Sequence, residues 1–70
     1  MIREYVISSN IGSVGYDYNT RTLEIEFRGG GIYQYFDVNL VEYVGLMNAP
    51  SHGKYFHSHI KYEYRYERIK

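Results

Sequence analysis

The sequence predicts an α+β fold: an antiparallel β-meander of three to four strands, two short helices, and a closing C-terminal strand. Three changes of rhythm carry that prediction. Apolar and polar residues alternate in the first half, the spacing becomes helical at Asn39, and alternation returns after Ser58. Seventy residues make a single domain, 1–70, with no room for a second.

Tyr5-Val6-Ile7 reads as a short strand ended by Ser8-Ser9-Asn10. Val14, Tyr16 and Tyr18 alternate with Gly15 and Asp17, and Asn19-Thr20 supplies turn chemistry. The clearest strand follows, with Leu23, Ile25 and Phe27 on one face and Thr22, Glu24, Glu26 and Arg28 on the other. That pattern suits an antiparallel strand buried on one side and wet on the other, so Glu24 and Glu26 are expected as surface charge. The two runs form a hairpin. Gly29-Gly30-Gly31 turns the chain into a third meander strand, Ile32–Phe36, aromatic on both faces and expected to be covered on both.

Asn39 can cap a helix, and Glu42 three residues later completes a capping box. Leu40, Tyr43, Val44 and Met47 then form an i, i+3, i+4, i+7 stripe that would lie on the sheet. Asn48 and Pro50 end this helix. Ser51 caps a second one running to about Ser58, with Tyr55 and Phe56 as its apolar contacts. Ile60, Tyr62, Tyr64 and Tyr66 alternate with Lys61, Glu63, Arg65 and Glu67, which predicts the closing strand; a helix there would scatter the tyrosines all round.

Composition narrows the function. There is no cysteine, so no disulfide or thiolate metal site staples a chain of this size. Ten tyrosines and three phenylalanines supply the burial instead. No apolar run approaches a signal peptide or membrane span, and the expectation is an untargeted cytoplasmic protein. Formal charge is zero but uneven. Residues 1–50 carry three arginines against six carboxylates. Residues 51–70 carry Lys54, Lys61, Arg65, Arg68 and Lys70 against Glu63 and Glu67, with three histidines besides.

In its ordered motifs the chain resembles the KTSC domain, a short module named for its place at the C-terminus of some lysyl-tRNA synthetases and found also as a stand-alone bacterial protein. The run Ser8-Ser9, Val14-Gly15-Tyr16-Asp17, Thr22–Phe27 and Gly31–Tyr35 carries the first half of the likeness, and Tyr33 and Tyr35 match the family's central Tyr-x-Tyr. Ala49, Ser51, Gly53, Tyr55, Phe56, Ile60 and Lys61 match its second half. The likeness runs from about Val6 to Arg68. Asn39 stands where the family has proline, and His57 where it has asparagine, so a role needing a side-chain amide there does not carry over. The family has no established activity, and RNA binding is suggested for it chiefly by its attachment to a synthetase.

The residues themselves offer a matching constellation. Aromatic faces that stack on bases, beside cations that track the backbone, hold single-stranded nucleic acid. Tyr33 and Tyr35 share one face of a strand; Tyr62, Tyr64 and Tyr66 are interleaved with Lys61, Arg65 and Arg68, and Lys54 lies nearby. The competing reading buries the same rings as core, with a solvated charged face, and a domain this small needs such burial. His52 and His57 lie five residues apart, about 140° around a helix, and diverge, so no metal site is expected. The triple glycine opens a strand and not a helix, which makes it a turn and not a phosphate cradle. No catalytic residue and no cofactor are expected. The leading expectation is a binding module for RNA, single-stranded or tRNA-like, with protein interaction or self-association as its rival.

Overall fold

The computed structural model describes residues 1–70, and its element order is the predicted one. Strands β1 (Glu4–Tyr5), β2 (Ile11–Asp17), β3 (Thr22–Phe27) and β4 (Ile32–Tyr35) are followed by helices α1 (Leu40–Asn48) and α2 (His52–His59), then strand β5 (Tyr66–Arg68). The five strands form one antiparallel sheet in sequence order, with β5 returning from the helices to pair with β4. Both edge strands are two or three residues long, which limits the unpaired backbone offered to a second sheet.

Cross-strand pairing fixes which residues share a face. Leu23 lies opposite Tyr16 and Tyr35, and Ile25 opposite Val14 and Tyr33, so these six point toward the helices. The core is Ile11, Val14, Leu23, Ile25 and Tyr35 from the sheet, closed by Val38, Leu46, Phe56 and Ile60. Local chemistry holds the helices in place. The Asn39 side chain accepts the Glu42 N–H at 2.9 Å, and the Ser51 hydroxyl accepts the Lys54 N–H at 3.2 Å. In the β3–β4 turn, Gly31 has φ +91°, and a Cβ there would lie 3.0 Å from Tyr33 and 3.2 Å from Arg68.

Four expectations are corrected. The closing strand does not span residues 60–66. Ile60 caps α2, and both its N–H and that of Lys61 bond to the Phe56 carbonyl, at 2.9 and 3.0 Å. The chain turns through Tyr64 before pairing begins with Tyr66 opposite Tyr35. The far face of β3 is not wet at Glu24, which is 5% exposed. The N-terminal segment crosses that face, with the Ile2 carbonyl and Arg3 side chain against Gly15. Arg3 pairs with Glu24 and donates to the Ser13 hydroxyl at 2.9 Å, while Gln34 donates to Glu24 at 2.9 Å.

The helix α1 stripe is also rotated from its expected position. Leu46 is fully buried, with Tyr43 and Met47 beside it, whereas Leu40 and Val44 are each 46% exposed. The second helix sets this rotation, because the Tyr55 ring occupies the space that a Cβ on Gly45 would take. Lastly, the first strand is Glu4–Tyr5 and not Tyr5–Ile7: Val6 packs on the core, and Ile7 is exposed.

Candidate nucleic-acid interface

Because β5 pairs with β4 beside the end of α2, an open seam remains between the sheet and the turn that follows the helix. The seam is a cleft of about 400 Å³ lined by Asn10, Phe27, Gly30, Tyr33, Tyr35, Phe56, His57, Lys61, Tyr62 and Tyr66. Phe27, Tyr35 and Phe56 form its floor. The Tyr35 ring meets Phe56 edge-on at 5.4 Å, and Phe27 meets Phe56 at 5.3 Å. Edge-to-face contacts of this kind hold rings in fixed orientation. Burial pushes the Tyr35 hydroxyl up to about 12, with the neighbouring Tyr33 and Tyr66 phenols adding to the rise.

The two walls differ in origin. On the sheet side, Tyr66 leans over both Tyr33 and Tyr35, with centroids at 6.0 and 5.7 Å, and is 60% exposed. Tyr33 is half-buried, and the Arg68 guanidinium lies over its ring at 5.8 Å. On the helix side, Tyr62 is 76% exposed, meets the His57 imidazole edge-on at 5.9 Å, and carries the Lys61 ammonium at 5.2 Å from its centroid. None of the lining residues is a carboxylate. The cleft therefore offers aromatic faces with a locally positive rim.

Of the residues singled out in sequence, Tyr33, Tyr35, Lys61 and Tyr62 converge on this cleft, and Arg68 stands at its edge over Tyr33. Three others do not. Tyr64 turns away and donates to Glu42 at 3.2 Å, beside Tyr55, which donates to the same carboxylate at 2.5 Å. That hydrogen bond, with some burial, raises the Tyr55 hydroxyl to about 12, and burial first and Glu42 second raise Tyr64 as well. Arg65 lies outside, 3.4 Å from Asp37 and over Phe36 at 5.4 Å. Lys54 lines a separate polar groove next to the cleft. The histidines meet different partners: His52 donates to the Leu46 carbonyl at 2.8 Å, and His59 stacks on Tyr55 at 4.3 Å.

Sequence reasoning placed Phe27 and Phe56 as packing residues and missed that they also floor a cleft. The signal available was their position: Phe27 ends its strand at the triple-glycine turn, and Phe56 immediately precedes His57.

The fold and cleft define a small α+β module: a five-stranded antiparallel sheet, a helix pair on one face, and an aromatic seam at one edge. The KTSC domain family model matches residues 7–64, and the chain belongs to that family. It is similar to a lysine–tRNA ligase of Nostoc sp., 46% identical over 61 residues that cover 87% of this chain and 11% of the ligase. It is likewise similar to an uncharacterized protein of Stutzerimonas stutzeri, 39% identical over 70 residues, 99% of each chain. The crystal structure of a KTSC domain protein from Yersinia pestis superposes with a TM-score of 0.97 at 40% identity, covering 99% of this chain and 97% of that one. The chain thus spans about a tenth of the length of the ligase it resembles. No helix is long and apolar enough to cross a membrane.

Proposed function

We propose that this domain is a binding module for RNA, single-stranded or tRNA-like, and that the aromatic cleft is its contact site. The observation that carries the reading is the make-up of the cleft. Six aromatic rings, two of them largely exposed, stand beside Lys61 and His57 with no carboxylate among the lining residues. Unpaired bases stack on such rings whatever their identity, and the Lys61 ammonium offsets backbone charge. The likeness to a segment of a lysine–tRNA ligase supports the same direction. A net charge of zero implies modest affinity, and cation–phosphate contacts imply that it falls with salt. No catalytic role is proposed.

Anisotropy titration of labelled single-stranded RNA and of tRNA, at low and moderate salt, tests the reading. Binding should be salt-sensitive, and Tyr62→Ala should weaken it about tenfold, since a base–aromatic stack contributes about 1–3 kcal/mol. Absence of salt-sensitive binding, or binding indifferent to Tyr62→Ala and Lys61→Ala, overturns it.

One observation favours a second reading, protein interaction or self-association. Leu40, Val41 and Val44 leave an apolar strip exposed on the outer side of α1. Sedimentation should then show association that Val41→Glu abolishes; a strict monomer with no bound partner removes this reading.

A further inference from the structure

We propose that the site holds one nucleotide in two parts, the base in the aromatic cleft and its phosphate in the polar groove beside it. This rests on the RNA reading above and adds the size and composition of the ligand. The groove, about 500 Å³, is lined by Ser8, Asn10, Ser51, Lys54, His57 and Ser58 among others, with one apolar residue and no carboxylate. It shares Asn10 and His57 with the cleft, so the two are contiguous. One compartment is aromatic, the other lined by hydroxyls, amide, imidazole and ammonium. That division matches a base joined to a phosphorylated sugar.

The groove is preformed. The Ser8 hydroxyl accepts the N–H groups of Asn10 and Ile11 at 3.2 and 3.1 Å, and Arg28 donates to the Ser8 carbonyl at 2.6 Å. Gly53 brings α2 against this loop, since a Cβ there would lie 3.4 Å from the Asn10 Cβ. A rigid groove lowers the entropy lost when a ligand is ordered in it.

The same surface limits the ligand to one nucleotide. Lys54 and Lys61 form no ion pair and stand free at the two compartments. Four of the other six cations are engaged, Arg3 with Glu24, Arg65 with Asp37, Arg28 with the Ser8 carbonyl and Arg68 with the Lys70 carbonyl at 3.0 Å, and the remaining two, Arg21 and Lys70, line neither compartment. Beyond Tyr62 and Tyr66 the surface carries two carboxylates, Glu63 and Glu67, against one cation, Arg65, which faces Asp37, so its net charge opposes a backbone continuing that way. The cleft volume also falls near the low end of the roughly 300–1,000 Å³ typical of small-ligand pockets.

Calorimetric titration of the intact chain with adenosine, adenosine monophosphate, inorganic phosphate and an adenylate octanucleotide tests this, supported by the ring resonances of Tyr62, Tyr66 and His57. The monophosphate should bind about tenfold more tightly than adenosine, and Lys54→Ala should erase that difference while leaving adenosine binding unchanged. Tyr62→Ala should weaken both. The octanucleotide should gain no more than the statistical factor of several frames, with a log–log salt slope near about −1, given about −0.7 per phosphate contacted. Equal binding of adenosine and its monophosphate overturns the proposal, as does phosphate binding as tightly as the nucleotide. A slope steeper than about −2 with a large gain for the octanucleotide overturns the one-nucleotide limit yet leaves the RNA reading standing. Silence toward every titrant overturns both.

Discussion

Gly45 sits inside α1, where replacing glycine with alanine ordinarily stabilises a helix by about 0.5–1 kcal/mol. In this domain Gly45→Ala should do the opposite. The new methyl would occupy the place of the Tyr55 hydroxyl and lie 2.8 Å from its Cζ, so the ring must swing out. Its hydrogen bond to Glu42, 2.5 Å in length, is then lost. A bond to a charged group contributes about 1.5–3 kcal/mol when buried, and on the order of 1 kcal/mol at this half-exposed site. The stack on His59 goes with it, worth about 0.5–1.5 kcal/mol. Losses of about 2 kcal/mol against a gain below 1 leave a net destabilisation of about 1 kcal/mol, or a fall of about 4–8 °C in Tm.

The double-mutant cycle separates the two terms. With Tyr55→Ala in place there is no ring to displace, and Gly45→Ala should then stabilise by its ordinary helix-propensity increment. Urea denaturation of the four proteins reads both effects. If Gly45→Ala stabilises the parent chain, the assignment of α1–α2 packing to Gly45 and Tyr55 is refuted.

The remaining predictions concern the core and the titrating groups. Leu46→Ala should cost about 2–5 kcal/mol, most of the stability of a domain this small, while Val41→Ala stays within about 0.5 kcal/mol; equal effects in denaturation would contradict the observed rotation of α1. Burial alone would raise the Glu24 carboxyl, but hydrogen bonds from Gln34 and Arg3 and the nearby positive charges outweigh it and hold it below 4.5. Its contribution is therefore complete above that pH and is lost as pH falls through the depressed value, so urea midpoints of the parent chain should drop more steeply on acidification than those of Glu24→Gln. Tyr35 and Tyr55 titrate near 12 in the fold against 10 when unfolded, so the stability they contribute is full below pH 10 and lost as pH rises toward 12. Ultraviolet titration should show Tyr35 and Tyr55 among the late phenols, with Tyr43 and Tyr64 also displaced upward, and ten ionising together near pH 10 in a folded chain would refute it.

What the sequence revealed was local, and what it hid was not. The Asn39 and Ser51 caps are readable because the capping oxygen and its N–H lie within three residues. The alternation of Thr22–Phe27 is equally local, and the strand is where the pattern puts it. Glu24 follows the same alternation, yet whether its face is wet depends on Arg3, twenty-one residues away in sequence. The stripe on α1 failed for a related reason: two overlapping stripes fit the spacing, and the choice between them is made by Tyr55 in the next helix. The tyrosine alternation of residues 60–66 imitates a strand, but each ring has its own destination. Tyr62 goes to His57, Tyr64 to Glu42, and Tyr66 to Tyr33 and Tyr35.

That dispersal has a consequence for the cleft. One of its walls stands on β5, a three-residue edge strand whose exposed side chains contribute little burial. It is held by pairing to β4 and by flanking bonds, Phe36 N–H to the Arg65 carbonyl at 2.9 Å and Ile69 N–H to the Ile32 carbonyl at 2.8 Å. Segments with few buried contacts open at free energies well below that of global unfolding. Tyr66 rides on this strand, so the cleft is complete only while β5 is docked. A ligand seated between Tyr62 and Tyr66 binds the docked state alone and must shift that equilibrium toward it. The amides of β5 should therefore exchange faster than those of β3 in the free domain and slow on RNA addition, with β3 unchanged. Uniform protection of both strands in the free domain would separate the cleft from any such coupling.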